Sequence, residues 1–154
     1  MVIIRLATQN DVPTIQKLNH DLFLSDNEHN HDLDYDWPYS EEGEKYFRGA
    51  VDSERYLSVV AETNGDIVGY LNGYLKTPST IYMGKRAEID NMCVNADARH
   101  KGVGTALIDE FKKWAKEHGV ERLMVEAFSG NSAAIEFYKR NGFEPYADVL
   151  SQGL

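Results

Sequence analysis

The sequence predicts a mixed α/β domain with elements in the order β-α-α-β-β-β-α-β-α-β. Three observations carry this. An apolar run from Glu88 to Val94, a glycine-bearing turn, a periodic helix from Val103 and a second apolar run from Val120 to Phe128 form a strand-helix-strand unit, whose strands should lie parallel. Asn64-Gly65 sits between two strand-like runs and signals a hairpin. Two amphipathic stretches precede that hairpin and one follows the parallel unit. No linker or internal repeat interrupts the chain, so residues 1–154 read as a single domain.

Val2 to Ala7 reads as the first strand. Thr8 and Asp11 make a capping box, Pro13 falls in the first helical turn, and Val12, Ile15, Leu18, Leu22 and Phe23 recur at helical spacing. From Ser25 to Ser40 the pattern gives way to an acidic, His-containing loop. Ser40-Glu-Glu-Gly-Glu opens a second helix with Tyr46, Phe47 and Val51 on its apolar side. Tyr56 to Glu62 and Ile67 to Leu75 are the hairpin strands, and Glu88 to Val94 follows. Val103, Leu107, Phe111, Trp114 and Ala115 mark one face of the next helix, which Gly119 ends. Val120 to Phe128 is a strand, Ser132 to Arg140 a helix and Phe143 to Leu150 a last strand.

Composition narrows the function. Hydrophobic residues make up 42% of the chain, enough for one core. No apolar run is long enough to span a bilayer, and the first residues read as a strand rather than a signal peptide. The single cysteine, Cys93, excludes an internal disulfide and suits a reducing cytoplasm. A formal charge of −9 argues against nucleic acid or anionic lipid as partners and favours a cationic substrate. Asp32, Asp34 and Asp36 with His29 and His31 resemble a metal loop, but a calcium loop starting at Asp32 needs a glycine and a glutamate where the chain has Trp37 and Gly43. No metal is expected.

Arg99-His100-Lys101-Gly102-Val103-Gly104-Thr105 is the most informative stretch. Its glycines permit close approach of backbone to a ligand, and the first-turn N–H groups of the following helix lack intrahelical partners. Together with the helix dipole these favour a pyrophosphate, to which Arg99 can add a bidentate contact. The turn has neither the Lys-Ser/Thr of a nucleotide-hydrolysing loop nor the third glycine of a dinucleotide fingerprint, where the chain has Leu107.

Asn131 is followed seven residues on by Tyr138, and Gly142-Phe143 comes next. With the Arg-x-x-Gly-x-Gly turn before it, this segment resembles the GNAT superfamily of acetyl-CoA-dependent N-acetyltransferases. The resemblance covers both motifs from Glu88 to Phe143 and extends more loosely to the first strand and helix. It implies a central mixed sheet of six to seven strands flanked by about four helices, with the fourth and fifth strands splayed apart. It also implies acetyl-CoA as co-substrate, held by the Arg99–Thr105 backbone and by main-chain groups of Met92, Cys93 and Val94, one of whose N–H groups polarises the thioester carbonyl. Asn131 is carried over as a polar contact to the pantetheine, a role it can combine with helix capping. Dimers are common in the family, so a homodimer is an expectation.

The chemistry then asks for an acid and a base. Tyr138 matches the family's tyrosine; proton transfer from a phenol near 10 to a thiolate near 8.5 is uphill by only about 2 kcal/mol. A lysine-like amine is neutral about once in 2,500 molecules at pH 7, a deficit of about 4.6 kcal/mol, so a carboxylate base has work to do. Glu88 is preferred and Glu126 competes with it; Asp90 shares the Glu88 face unless a bulge intervenes. Cys93 reads as a buried structural thiol. The acidic segment around Asp26, Glu28, Asp32, Asp34, Asp36, Glu41 and Glu42, with Tyr35, Trp37 and Tyr39, suits a cationic acceptor. The expected enzyme moves acetyl to a cationic small-molecule amine. A protein or peptide amine, and a non-catalytic acyl-CoA sensor, are the rival readings.

Overall fold

The computed structural model describes residues 1–154. Its five strands lie in chain order: β1 (Ile3–Leu6), β2 (Tyr56–Thr63), β3 (Asp66–Leu75), β4 (Lys85–Val94) and β5 (Val120–Val125). Four helices, α1 (Val12–Asp26), α2 (Glu41–Asp52), α3 (Val103–Glu117) and α4 (Ser132–Arg140), complete the mixed fold. The first four strands pair antiparallel; β4 and β5, joined by α3, pair parallel.

Local chemistry sets these elements. Asn64 and Gly65 adopt φ of 54° and 85°, the left-handed pair that a two-residue hairpin turn needs. The Ser40 hydroxyl caps α2 by accepting from Gly43 N–H at 3.0 Å, and Glu41, Glu42 and Glu44 stand at that positive helix end. Gly119 turns the chain after α3 at φ 70°. The sheet is buried on both faces. On one, α3 lays Leu107, Ile108 and Phe111 over Leu57, Val59, Leu71 and Ile89. On the other, Ile15 and Leu18 of α1 and Phe47 of α2 cover Val60, Tyr70 and Cys93.

The predicted capping box forms at a short 3-10 turn, Gln9–Asp11, that runs into α1: the Thr8 N–H and hydroxyl donate to Asp11 at 2.7 and 2.9 Å. From β1, Arg5 grips the same carboxylate at 2.7 and 3.1 Å. The Arg5 bonds, then those from Thr8, hold Asp11 down to about 2 against the cost of burial. A folded-state pKa below the unfolded one stabilises the protein above about pH 4 and is lost as pH falls toward 2. The full lowering is worth about 2 kcal/mol, and because Arg5 is 37% exposed, screening leaves on the order of 1 kcal/mol. Asp11→Asn should therefore cost about 1 kcal/mol in denaturant melts at pH 7, with the difference closing toward pH 2; an equal deficit at both ends would assign Asp11 a packing role instead.

Residues 143–150 form no strand, so the sheet has five strands where six to seven were expected. Pro145 brings no N–H to a ladder, and Val149 and Leu150 remain 81% and 91% exposed, with no core to receive an alternating face. Two boundaries also move. β4 begins at Lys85, before the predicted Glu88, and β5 ends at Val125, before the predicted Phe128. The second shift has a functional geometry. The last β4–β5 pair is Ile89 with Val125; beyond it Asp90–Val94 continue without a strand on that side.

Candidate active site

The site is built around the place where β4 and β5 part. At its far end the chain makes a turn into α3. His100 and Gly102 have φ of 60° and 82°, so left-handed residues alternate with ordinary ones. Such alternation points successive N–H groups into one concavity. The N–H groups of residues 100–105 make no hydrogen bond within the chain; the first bond of α3 runs from Ala106 N–H to the Gly102 carbonyl at 3.0 Å. Arg99 is partly committed, its Nε donating to the Val94 carbonyl at 3.0 Å and its side chain bonding the Cys93 thiol, and no carboxylate pairs with it. The turn presents unspent donors at a helix N-terminus, the arrangement that suits an anion.

Gly104 has a second duty. A Cβ there would lie 2.8 Å from the Phe137 ring and 3.8 Å from the Met92 methyl, so its absence lets α4 and β4 close on the head of α3. Asn131 caps α4, its Oδ1 accepting from Ala134 N–H at 3.1 Å while its amide nitrogen stays unengaged. Tyr138 packs its ring against Phe137 and Phe143 at 5.3 and 5.7 Å. Its hydroxyl makes no hydrogen bond in the protein; burial, and then the charge of Asp26, push it up to about 12. Cys93 is 7% exposed in the α1/α2 core, and burial raises its thiol to about 11, a structural thiol as expected.

The carboxylates follow the strand geometry. In the β3–β4 ladder Asn72 faces Asn91 and Gly73 faces Ile89, which leaves Asp90 as the extra residue of a bulge. The bulge does not part Glu88 from Asp90. It brings Asn91 to their face, where the Tyr46 hydroxyl donates to Asp90 and accepts from Asn91 Nδ2 at 3.0 Å. Tyr56 and Tyr74 stack beside them at 5.5 Å, with Tyr46 edge-on to Tyr56 at 6.2 Å. Desolvation by the surrounding protein raises the Asp90 carboxyl from its ordinary value, offset in part by the Tyr46 bond, yet Asp90 is open to solvent. Glu88 differs: it is engaged by Lys76. Glu126 lies one residue past β5, exposed and without an ion pair. Below this face the buried side-chain atoms Asn72 Nδ2 and Oδ1, Asn91 Oδ1 and Ser58 Oγ lack partners, a concentration of polar strain typical of functional sites.

Sequence reasoning missed Tyr46, Tyr56 and Tyr74 as site residues, reading them as core and strand positions. It also gave Trp37 to the acceptor face, whereas Trp37 packs on Phe23, Tyr46 and Phe47 at 6.2, 5.6 and 6.0 Å. Tyr35 and Tyr39 stay exposed beside His20. A cavity of about 460 Å³ elsewhere, lined by Leu6, Val51, Trp114 and His118 among others, contains none of the expected site residues. No cluster of three or more His, Cys, Asp or Glu side chains comes together, and no helix is long and apolar enough to cross a membrane.

A parallel strand pair opens toward a helix start with unpaired N–H groups, and a tyrosine stands on the following helix. The profile of the acetyltransferase (GNAT) family matches residues 20–143, and the chain belongs to that family. It is 40% identical over 101 residues to an uncharacterized N-acetyltransferase, MJ1207, of Methanocaldococcus jannaschii, spanning 64% of this chain and 44% of that protein. Streptothricin acetyltransferase A of Bacillus subtilis is 34% identical over 114 residues, 70% of this chain and 65% of the relative. The chain thus spans less than two thirds of these relatives' length. Among solved structures, a tetramutant of the BH1408 protein from Bacillus halodurans superposes with a TM-score of 0.85 at 23% identity, covering 99% of both chains. The aminoglycoside antibiotic 6'-N-acetyltransferase AAC(6')-Ih from Acinetobacter baumannii gives 0.78 at 14% identity, covering 100% and 98%. At these identities the structural likeness establishes the fold.

Proposed function

We propose that the protein transfers acetyl from acetyl-CoA to a primary amine by direct attack in a ternary complex, and that the acceptor is a cationic small molecule. The observation that carries this reading is the run of unpaired N–H groups over residues 100–105, placed beside a β4 edge that has lost its β5 neighbour. Those donors and the guanidinium of Arg99 fit a diphosphate. The free edge of Met92, Cys93 and Val94 fits an extended pantetheine arm, which would lie where a strand is missing, and Asn131 retains an amide N–H₂ for it.

When bound, acetyl-CoA supplies an activated acetyl group on a leaving thiol. The ammonium first loses a proton to a carboxylate on the β4 face. The amine nitrogen then bonds to the acetyl carbon, the carbon–sulfur bond breaks, the sulfur takes a proton from Tyr138, and the second proton shed by the nitrogen as it becomes an amide restores the Tyr138 hydroxyl. Glu88 and Glu126 are the expected bases, and the geometry favours Asp90 over both. Glu88 is already matched by Lys76. Glu126 stands alone past the strand end. Asp90 has only the uncharged Tyr46 and lies among aromatic rings that favour a cation. The acidic segment at 26–42 and the net charge of −9 draw such an amine in. The relative named for streptothricin agrees with a small-molecule acceptor.

Titration with acetyl-CoA, followed by an amine panel assayed for free CoA release, tests the reading. Binding with turnover on one amine class is expected, and absence of binding overturns it. Binding without turnover across the panel moves the protein to the acyl-CoA sensors or to a protein acceptor. The base is tested through the pH–rate profile. A base must be deprotonated, so kcat/KM should rise with pH through the raised Asp90 pKa. Asp90→Asn should erase that rise and lower kcat/KM by on the order of a hundredfold, whereas Glu126→Gln should leave the profile in place. If Glu88→Gln alone erases the rise, the base is Glu88 acting despite Lys76.

A further inference from the structure

Charges of both signs are sorted along β4. Asp90 stands where β4 leaves β5, Glu88 follows with Lys76, and Arg86 stands at the other end. Arg86 lies opposite Arg122 in the parallel register. Both guanidiniums rest against the Tyr146 ring, at 5.6 and 5.3 Å from its centroid, and Tyr82 covers Arg86 at 4.0 Å. In a chain of net charge −9, neither arginine has a carboxylate within salt-bridge reach. Arg86 donates one bond to Met124 Sδ at 3.2 Å, and its Nε is sealed from solvent without any acceptor.

An unmatched guanidinium donor held out of water is costly, and an acidic protein has many carboxylates that could have been placed against it. Stacking on tyrosine faces fixes the guanidinium plane, and with Nη2 on Met124 and Nε sealed the remaining Nη1 is the donor left for an acceptor. Beside Arg86 a cavity of about 270 Å³ opens, lined also by Lys76, Lys85, Tyr82, Thr77 and Ser79. Its Lys76 is shared with Glu88, whereas Arg86 and Lys85, the latter donating to the His118 carbonyl at 3.3 Å, bring the cavity two cations without a carboxylate.

We propose that this cavity receives an anionic group, a carboxylate by preference, carried on the same acceptor whose amine meets Asp90. The substrate is then cationic only at the amine that meets Asp90, with an acidic group at its far end, held between opposite charges. This rests on the reading that the Asp90 face receives the amine. Four residues of extended strand separate Arg86 from Asp90 by about 13 Å, and the two side chains shorten the gap, so chains on the order of six to ten carbons span it.

The test uses the full chain and two matched series, ω-amino acids of six to ten carbons and n-alkylamines of equal length. With acetyl-CoA present, the amino acid should show at least tenfold higher kcat/KM at one chain length. Arg86→Gln should bring that ratio to about one, chiefly by raising KM for the amino acid, with partial rescue in Arg86→Lys. Lys85→Gln, which removes the other unpaired cation lining the cavity, serves as the second variant if Arg86→Gln does not fold. A calorimetric arm titrates the same pairs into protein saturated with CoA, where no turnover is needed. Carboxylate-dependent affinity lost in the variant supports the cavity even when no amine is acetylated, in which case the transferase reading alone fails. Equal behaviour of both series in both arms overturns the proposal. Hexanoate should compete with the amino acids and not with the alkylamines; hexanoate that binds without such competition marks a free-anion site and also overturns it.

Discussion

Tyr138→Phe is expected to lower kcat by on the order of a hundredfold or more while leaving acetyl-CoA affinity within about twofold. The ring packs on Phe137 and Phe143, contacts a phenylalanine keeps, so the fold loses little. What disappears is one hydroxyl with no partner in the protein, and a hydroxyl without a partner is free to serve a ligand. Its burial sets the terms of the chemistry. A phenol pushed up to about 12 does not ionise in the working range. Delivering its proton to a thiolate near 8.5 is uphill by about 5 kcal/mol as an isolated step, so transfer has to accompany the departure of sulfur. The pH sign follows. An acid must be protonated, so activity falls only as pH rises through its pKa. An ordinary tyrosine would bend the kcat profile downward near pH 10; Tyr138 should leave it flat to beyond pH 10. Steady-state kinetics of wild type and variant, with calorimetric titration of acetyl-CoA, measure all of this. An unaltered kcat removes the acid role, and a matching loss of CoA affinity makes Tyr138 a binding residue.

The backbone of the site was legible in the sequence and much of its acceptor face was not. Glycines and helix starts report their conformation locally, so the 99–105 turn and the Asn131 cap could be read from a few consecutive residues. The acceptor face depends on register, which is a non-local property. The Asn64-Gly65 turn taken with an unbroken ladder would set Tyr56 opposite Gly73. A bulge at Ala61/Glu62 moves the pairing by one, and Tyr56 meets Tyr74 instead. A second bulge, at Asp90, turns Asn91 to the side that holds Tyr46. Neither bulge has a residue signature as plain as a glycine turn. The last strand failed for a related reason: alternation in 143–150 is a statement about two faces, and a strand forms only where a neighbour and a core accept them. The ion pair between Lys76 and Glu88 joins residues on adjacent strands, and it changes which carboxylate is free to act.

Gly102→Val should raise the dissociation constant for CoA by on the order of a hundredfold, the loss expected when a helix-start anion turn is distorted. Gly102 is the cleaner probe of the turn. Its φ of 82° is strained for a β-branched residue, and no atom lies within 4 Å of where its Cβ would stand. The substitution therefore disturbs the N–H concavity without crowding the core. Gly104→Val works differently, because its Cβ would strike the Phe137 ring at 2.8 Å; α4 must move, and a stability loss of about 1–3 kcal/mol should accompany any loss of binding. Pantetheine separates turn from strand edge, since it shares the arm of CoA and lacks the diphosphate. In Gly102→Val, CoA affinity should drop toward that of pantetheine while pantetheine binding holds, because its proposed contacts lie along Met92–Val94. Gly102→Asn, whose side chain tolerates the left-handed region, should recover most of the CoA affinity. If CoA and pantetheine weaken together in Gly102→Val, the turn supports the fold of the β4 edge and the diphosphate is held elsewhere.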